Sequence, residues 1–366
     1  MKVLHILNEL KPSGAEVMLE LAGPIWRDLG CSLHVTAFSE KAGAFCDRLR
    51  AANWEVSHVN RAGGILTQLV RLKSHIQAIA PDIVHLHQEG LSLPICFAVK
   101  STGIPFVRTV HNNFPFTGSL RLRKTVERWI FRKLGGSFIA ISPSVEETES
   151  VRFKNPTKLC WNWFDSSGFR QPTRTEKIQA RQKLGIPENQ IVLVSVGNGS
   201  DVKNYRLIVE SIPMIDHAQI HYYQVGNRHP FGVDERIAHE LGVENRVHFV
   251  GPSHDIQSWL WSCDLYVMPS IYEGFGLSAV EALASGCDCL FADCPGLVDF
   301  KLEGVVARWI DPSPLNFATE IKSAINAPMS QENLTKNSRI VRNGFDTKTR
   351  CTAYYEHWKH VIDLWR

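Results

Sequence analysis

Short apolar runs alternate with longer amphipathic stretches from the first residue onward. Lys2–Leu7 reads as a buried strand, Asn8–Glu16 as a polar, glycine-containing loop, and Val17–Leu29 as the helix that this loop feeds. The same order continues through Leu33–Phe38, a helix near Ala44–Ala52, Glu55–Val59, a helix near Leu66–Ala80, Ile83–His87, Leu93–Thr102, Phe106–Val110, a helix near Leu120–Leu134, and a strand Phe138–Ile141 that stops at Ser142-Pro143. Between Leu159 and Pro187 the periodicity fades, with Pro172, Thr173, Arg174 and Thr175 interrupting it, and this region is expected to join two domains. A second series then runs through strand Ile191–Val196, helix Tyr205–Ile212, strand Ile220–Val225, helix Val233–Leu241, strand Val247–Val250 and strand Leu265–Met268. Strands alternating with helices predict α/β architecture with parallel, doubly wound sheets. Two Rossmann-like halves, residues 1–165 and 166–348, are expected to face each other across a cleft, with ligands at the carboxyl ends of the strands. Residues 349–366 form a final aromatic-rich helical stretch.

A chain of 366 residues is too long for one ordinary core, which agrees with two domains. No run of 18 apolar residues is present that could span a bilayer, and the apolar start is too short for a signal-peptide core, so a cytoplasmic protein is expected. Nine cysteines, an odd number and mostly in apolar surroundings, argue for reduced, buried thiols. Cys287, Cys289 and Cys294 cluster without the paired spacing of a zinc site, and no metal is expected. Residues 1–170 hold 21 Lys and Arg against 14 Asp and Glu, a net +7, whereas the remainder holds 19 against 23, a net −4. The first half should therefore seek anions more than the second.

The candidate chemistry concentrates after Leu265–Met268. Pro269 stops that strand, a loop with Gly274 and Gly276 comes next, and a helix is predicted from near Leu277 to Gly286. The glycines let backbone approach a ligand, and the free N–H groups of the helix's first turn favour an anion there. Glu273 sits beside that mouth and Glu281 one helical turn beyond Leu277, so two carboxylates can accept hydrogen bonds from hydroxyls of one elongated ligand. Polyol, phosphate and polyol in line describe a nucleotide sugar. A second loop, Gly197-Asn198-Gly199-Ser200-Asp201-Val202-Lys203-Asn204, can wrap a phosphate with its N–H groups and the Lys203 ammonium. A dinucleotide fingerprint would need glycine where Val202 stands, which argues against a dehydrogenase.

The segment from Pro269 to Gly286 resembles the Glu-x7-Glu signature of retaining glycosyltransferases of family 4, which have the GT-B fold. The resemblance implies that Glu273 contacts the transferred sugar and Glu281 the ribose, with Gly274, Phe275, Gly276 and Leu277 lining the donor. Gly197 and Lys203-Asn204 look like the family's diphosphate loop, in which Asn198 stands where arginine is usual. Since a guanidinium stabilises a leaving diphosphate better than a neutral amide does, this departure puts activity in question more than fold. Pro12-Ser13-Gly14-Ala15-Glu16 is similar to the family's Gly-Gly-x-Glu loop, so Gly14 is expected near the donor phosphates, and His111, after Phe106–Val110, is similar to the histidine that lines the sugar pocket. The resemblance also implies a metal-independent transferase with no cofactor beyond the nucleotide sugar, UDP-linked for preference or GDP-linked, and no nucleic-acid partner. The first domain is expected to bind the acceptor and the second the donor, and the last helix to pack back on the first domain. Two other readings stay open: another GT-B enzyme, such as an epimerase or phosphorylase, or a catalytically weak binding homologue.

The stretch Leu120–Leu134 divides, at 100° per residue, into an apolar face of Leu122, Val126, Trp129, Ile130 and Leu134 and a basic face of Arg121, Lys124, Arg128 and Arg132, with Phe131 at its edge. The expectation is that the apolar face packs inward and the basic face meets solvent or anionic lipid at the inner face of a membrane, where a lipid-linked saccharide acceptor of cell-envelope polysaccharide assembly would reside.

Overall fold

The computed structural model describes residues 1–366 and divides into two compact units, Met1–Phe164 with Thr347–Arg366, and Asp165–Asp346. The first unit runs β1 (Lys2–Leu7), α1 (Gly14–Asp28), β2 (Ser32–Ser39), α2 (Cys46–Ala51), β3 (Glu55–Asn60), α3 (Ile65–Ile79), β4 (Ile83–Leu86), α4 (Ser92–Lys100), β5 (Phe106–Val110), α5 (Gly118–Lys133), β6 (Ser137–Ala140), α6 (Pro143–Glu147) and β7 (Lys158–Leu159). Its seven strands are all parallel, in the order β3-β2-β1-β4-β5-β6-β7. The order reverses between β1 and β4, and there the loops leaving neighbouring strands diverge and open a crevice at the carboxyl edge.

The second unit runs α7 (Arg174–Lys183), β8 (Ile191–Val196), α8 (Arg206–Ser211), β9 (Ile220–Val225), α9 (Val233–Glu240), β10 (Val247–Gly251), α10 (Ile256–Ser262), β11 (Leu265–Met268), α11 (Leu277–Ala284), β12 (Cys289–Ala292), α12 (Asp299–Leu302), β13 (Arg308–Ile310), α13 (Pro314–Asn326) and α14 (Gln331–Gly344). Its six strands are parallel, in the order β10-β9-β8-β11-β12-β13, and reverse between β8 and β11. The last helix, α15 (Thr347–Trp365), belongs to the first unit, where Trp26 Nε1 donates to the Cys351 carbonyl at 2.9 Å and Tyr354 and Trp358 are buried. Both sheets are covered on two faces, so their central strands read as continuous apolar runs. All nine cysteines are buried free thiols.

Two expectations need correction. The stretch between Leu159 and Pro187 contains a full helix, α7, which belongs to the second unit. Of its residues only Ala180 is buried, so apolar periodicity has almost nothing to report. Its start is held by a capping box in which the Glu176 N–H donates to Thr173 Oγ1 at 3.2 Å and the Thr173 N–H to the Glu176 carboxylate at 2.8 Å. Arg181 Nε then reaches the Ser262 carbonyl at 3.1 Å and Lys177 Nζ reaches Asp264 at 3.1 Å.

The second correction is larger, because α5 lies the other way round from its expected orientation. Lys124 and Arg128 are buried, Arg132 is half-buried against the Lys154 carbonyl at 3.1 Å, and of the four basic residues only Arg121 is exposed. The apolar face points outward instead, with Leu122 67%, Val126 45% and Trp129 52% exposed. Inside, Arg128 Nε and Nη2 each donate to the Glu149 carboxylate at 2.7 Å, and Asn155 Nδ2 donates to it at 2.6 Å. Glu89 bridges Arg108, Lys124 and Arg128, while Lys124 Nζ also reaches Glu127 at 2.8 Å. Phe131, at the edge of the basic face, is fixed between Phe106 and Phe138 with ring centroids at 4.9 and 4.6 Å. A helical wheel separates two faces and says nothing about which one the protein supplies with partners.

A buried pair is costly to break because the surviving charge keeps its desolvation penalty without its partner. Arg128→Ala should therefore lower stability by about 3–5 kcal/mol, whereas Arg123→Ala on the solvent side of α5 should leave it unchanged. Urea midpoints of the two variants decide this, and equal midpoints would remove the buried cluster from any role in stability.

Candidate functional site

The reversal between β8 and β11 brings together the two loops singled out in the second half. β8 ends at Val196 and enters the loop at Gly197, whose φ of 146° is open to glycine alone. A side chain there would start 2.6 Å from the Tyr205 hydroxyl and 3.5 Å from Lys203 Cε, so its absence leaves the lysine stem room. Gly199 is equally constrained: a Cβ would meet the His229 backbone nitrogen at 2.5 Å. The Gly199 N–H donates to the Asn227 carbonyl at 2.7 Å. Asn198 is exposed, and its Oδ1 accepts from both the backbone N–H and the Nδ2 of Asn227 at 3.1 Å. The amide at the usual arginine position therefore clamps the loop after β8 to the loop after β9. Arg206, at the start of α8, is exposed and donates to the side chain of Asn204 at 3.3 Å.

β11 ends at Met268 and turns at Pro269. The Ile271 N–H donates to the Val202 carbonyl at 2.9 Å and Asn204 Nδ2 to the Pro269 carbonyl at 3.3 Å, which joins the two loops through one backbone pair and one side chain. Across that junction Lys203 Nζ lies 2.8 Å from Glu273 Oε1, and Ser270 Oγ donates to the same oxygen at 2.6 Å. The Glu273 N–H donates to the Pro295 carbonyl at 2.8 Å, and a Cβ on Gly296 would collide with the Glu273 backbone at 2.2 Å. Gly274 is buried beside it, and Phe275 is anchored by the rings of Phe300 and Phe345 at 5.9 and 5.2 Å. Gly276 takes φ 73° as the residue before α11, and no side chain caps that end, so the first-turn N–H groups of Leu277 and Ser278 stay available while those of Ala279 and Val280 donate to the Gly276 carbonyl.

Glu281 lies on α11 and has neither an ion-pair nor a hydrogen-bond partner for its side chain, although only part of its surface meets water. Burial, with the nearby charge of Asp165 adding to it, pushes its carboxyl up to about 8. The two glutamates thus differ: Glu273 is clamped, and Glu281 is desolvated without a partner.

In the first unit the reversal between β1 and β4 carries Gly14 and, one strand further, His111. Gly14 opens α1, three residues before the expected start, and no side chain caps that end because the Ser13 hydroxyl donates to the Glu16 carboxylate. His111 comes directly after β5, and its Nε2 lies 2.8 Å from His87 Nδ1. Burial, reinforced by Arg108, lowers its pKa to about 4, so the ring is neutral at physiological pH. Sequence reasoning missed Ser270, Asn227, His87 and His5. Ser270 stood three residues before Glu273 as a usable signal, whereas Asn227 is brought to Asn198 only by the pairing of β8 with β9.

The family model for Glycosyltransferase Family 4 matches residues 12–197, half of the chain, and the model for Glycosyl transferases group 1 matches residues 176–341. This chain belongs to glycosyltransferase family 4. The family 4 chain is 23% identical over 370 residues to EpsF of Bacillus subtilis, which carries a provisional glycosyltransferase name, covering 96% of this chain and 94% of that one. It is 22% identical over 313 residues to the sulfoquinovosyl transferase SQD2 of Arabidopsis thaliana, covering 81% of this chain and 60% of the relative. Its fold matches that of HepE from Anabaena, solved in complex with UDP and glucose, with a TM-score of 0.83, 23% identity, and 98% and 100% of the two chains covered. At that identity the likeness shows the fold, which is GT-B.

Glu281 also has a signature without any ligand. The unfolded carboxyl deprotonates near its ordinary value of 4.5 and the folded one near 8. The stability of the protonated form is therefore complete below about pH 4.5 and lost as pH rises through about 8. Glu281→Gln should gain stability over wild type on going from pH 5 to pH 8, on the order of 1–3 kcal/mol once residual exposure is discounted. Urea titrations at both pH values test this, and a difference that does not change with pH would show that Glu281 ionises normally.

Proposed function

We propose that this family 4 member is a retaining glycosyltransferase that moves a sugar from a nucleotide-sugar donor, UDP-linked for preference or GDP-linked, to a saccharide or lipid-linked saccharide acceptor in cell-envelope polysaccharide assembly. The observation that carries it is the pairing of opposites at the end of β11: a clamped Lys203–Glu273 pair and an unpartnered, desolvated Glu281. Ribose hydroxyls are donors of the kind Glu281 lacks. Glu273, kept in place by Ser270 and Lys203, would accept from hydroxyls of the transferred sugar. Lys203 and the first-turn N–H groups of α11 would stabilise charge developing on the leaving diphosphate, with no divalent cation assigned, and that phosphate would take the acceptor hydroxyl's proton. The first unit would take the acceptor, with Gly14 offering helix-end N–H groups and His111 lining the sugar pocket. HepE, similar in fold, was solved with UDP-glucose, which supports a UDP-linked donor.

One observation favours a weaker catalyst. Because Asn198 is committed to Asn227, the loop is built around the amide, and Asn198→Arg should loosen it and not restore a missing function. A thermal-shift screen of UDP- and GDP-sugars, followed by donor turnover with and without acceptor, separates transfer from binding alone. Glu281→Ala should weaken UDP affinity, and Glu273→Ala should lower turnover with affinity retained. Lys203→Ala should cost about 1.5–3 kcal/mol of transition-state stabilisation, roughly ten- to a hundredfold in rate. Equal effects of both glutamate variants on UDP affinity would remove the assignment.

Membrane attachment, at the cytoplasmic face, belongs to this reading in altered form. Lys124 and Arg128 are unavailable, so the contacting surface of α5 would be Leu122, Val126 and Trp129, flanked by Arg121, Arg123 and Lys133. Apolar residues among basic ones suit an interfacial helix on anionic lipid. Replacing Val126 and Trp129 together with Ser should abolish co-sedimentation with phosphatidylserine-containing vesicles, and replacing Arg121, Arg123 and Lys133 with Gln should weaken it at low salt most of all. Wild-type protein that ignores such vesicles at low salt would end the membrane reading.

A further inference from the structure

His111 is the open end of a chain of imidazoles that runs into the core of the first unit. His5 Nδ1 lies 2.9 Å from His87 Nε2, and His87 Nδ1 lies 2.8 Å from His111 Nε2. His5 is fully buried on β1, stacked on Trp26 at 5.3 Å, with Trp54 and Trp358 edge-on at 5.3 and 5.6 Å. Nothing bonds to His5 Nε2, and the one hydrogen bond of the His111 ring within the protein is that of its Nε2 to His87. Burial lowers the pKa of all three rings, of His5 to about 3 and of His111 to about 4, so each ring carries one proton.

With one proton per ring and two ring-to-ring bonds, the three tautomers are not independent. Either every bond donates outward from His5 to His111, or every bond donates inward. The surroundings of His5 select between these. His5 Nε2 is buried with no hydrogen-bond partner, so a proton there would be an orphaned donor, which is rarer in a core than an orphaned lone pair. His5 then keeps its proton on Nδ1, His87 passes the polarity on, and His111 is left with Nδ1–H.

Ligating nitrogens of His5, His85 and His87 lie within 4.8 Å of one another, as a metal site would need. However, His87 stacks on His5 at 21° and on His85 at 29° between ring planes, so their in-plane lone pairs do not converge on one point.

We propose that His87, and His5 behind it, are positioning residues that fix His111 as the Nδ1–H tautomer and so make it a hydrogen-bond donor to the sugar. The inference rests on the reading of His111 as a sugar-pocket residue, and the two can fail separately. If His111→Ala retains full transfer, that reading falls. If His111→Ala is inactive while every His87 variant is fully active, only the chain falls.

Three substitutions of His87 in the full-length protein test the chain. An asparagine amide stands where Nδ1 was and keeps the bond to His111, a glutamine amide stands where Nε2 was and keeps the bond to His5, and phenylalanine keeps only the shape. Turnover should fall about tenfold in His87→Phe and His87→Gln and no more than about threefold in His87→Asn, with KM for the donor unchanged. A packing role would rank His87→Phe first, which would overturn the proposal. Nitrogen-15 spectra of histidine-labelled protein, with the His111 signals assigned by their loss in His111→Asn, give the second readout. Wild type should show His111 protonated at Nδ1, opposite to the Nε2–H form that free imidazole side chains favour in water, and His5→Phe should shift it toward Nε2–H. A wild-type His111 protonated at Nε2 would overturn the proposal whatever the rates.

Discussion

Desolvation of charge organises this protein more than any single contact, because each buried ionisable group must find a partner, shift its protonation or wait for a ligand. The first two outcomes both occur. Arg128 and Glu149 pair in full, His5 on β1 and His87 and His111 just after β4 and β5 become neutral, and Glu281 stays without a partner with its carboxyl pushed up to about 8. The unpartnered carboxyl lies on α11, the helix that leaves the reversal point of the second sheet. Topology explains the place. Where strand order reverses between β8 and β11, neighbouring loops part, and glycine at 197, 199, 226 and 296 lets backbones touch where side chains would collide.

The clamp on Glu273 shows how such a site is kept rigid. Lys203 arrives from the loop after β8 and Ser270 from the loop after β11, while the Ile271 N–H and the Val202 carbonyl tie the loops themselves together. A displacement of either loop would break a charge-assisted bond and a backbone bond together. The same network gives Lys203 two uses, since the ammonium that neutralises Glu273 is also the cation closest to the glycine loop. Asn198 obeys an identical logic in a different direction: its amide holds Asn227, so the loop's shape depends on a neutral side chain.

Much of this was legible in the chain and some of it was not. The alternation of strands and helices, the buried thiols and the loop–helix unit around Glu273 and Glu281 stem from local patterns, because turn glycines and apolar runs act over a few residues. What escaped depends on partners distant in sequence. In α5 the division into two faces was correct and the inward choice was wrong, because Glu89 and Glu149, which draw Lys124 and Arg128 inside, lie 35 and 21 residues from them in the pairs Lys124–Glu89 and Arg128–Glu149. In α7 the failure has another cause: a helix held by a capping box and ion pairs carries almost no apolar signal, and Thr173 with Glu176 three residues later was the sign available. His111 could be picked out by its place after a strand, but the bonds from His87 and His5 exist only because β1, β4 and β5 lie side by side.

The exposed stripe on α5 completes the reasoning about charge. A helix whose basic residues are consumed internally must present what remains, and what remains is Leu122, Val126 and Trp129. Exposed large apolar residues at helical spacing carry a hydration cost that a monomer in water does not recover. The inversion follows from where the rest of the unit places its carboxylates: Glu89 and Glu149 hold Lys124 and Arg128 inside, and the periodicity of the helix alone could not have fixed that choice.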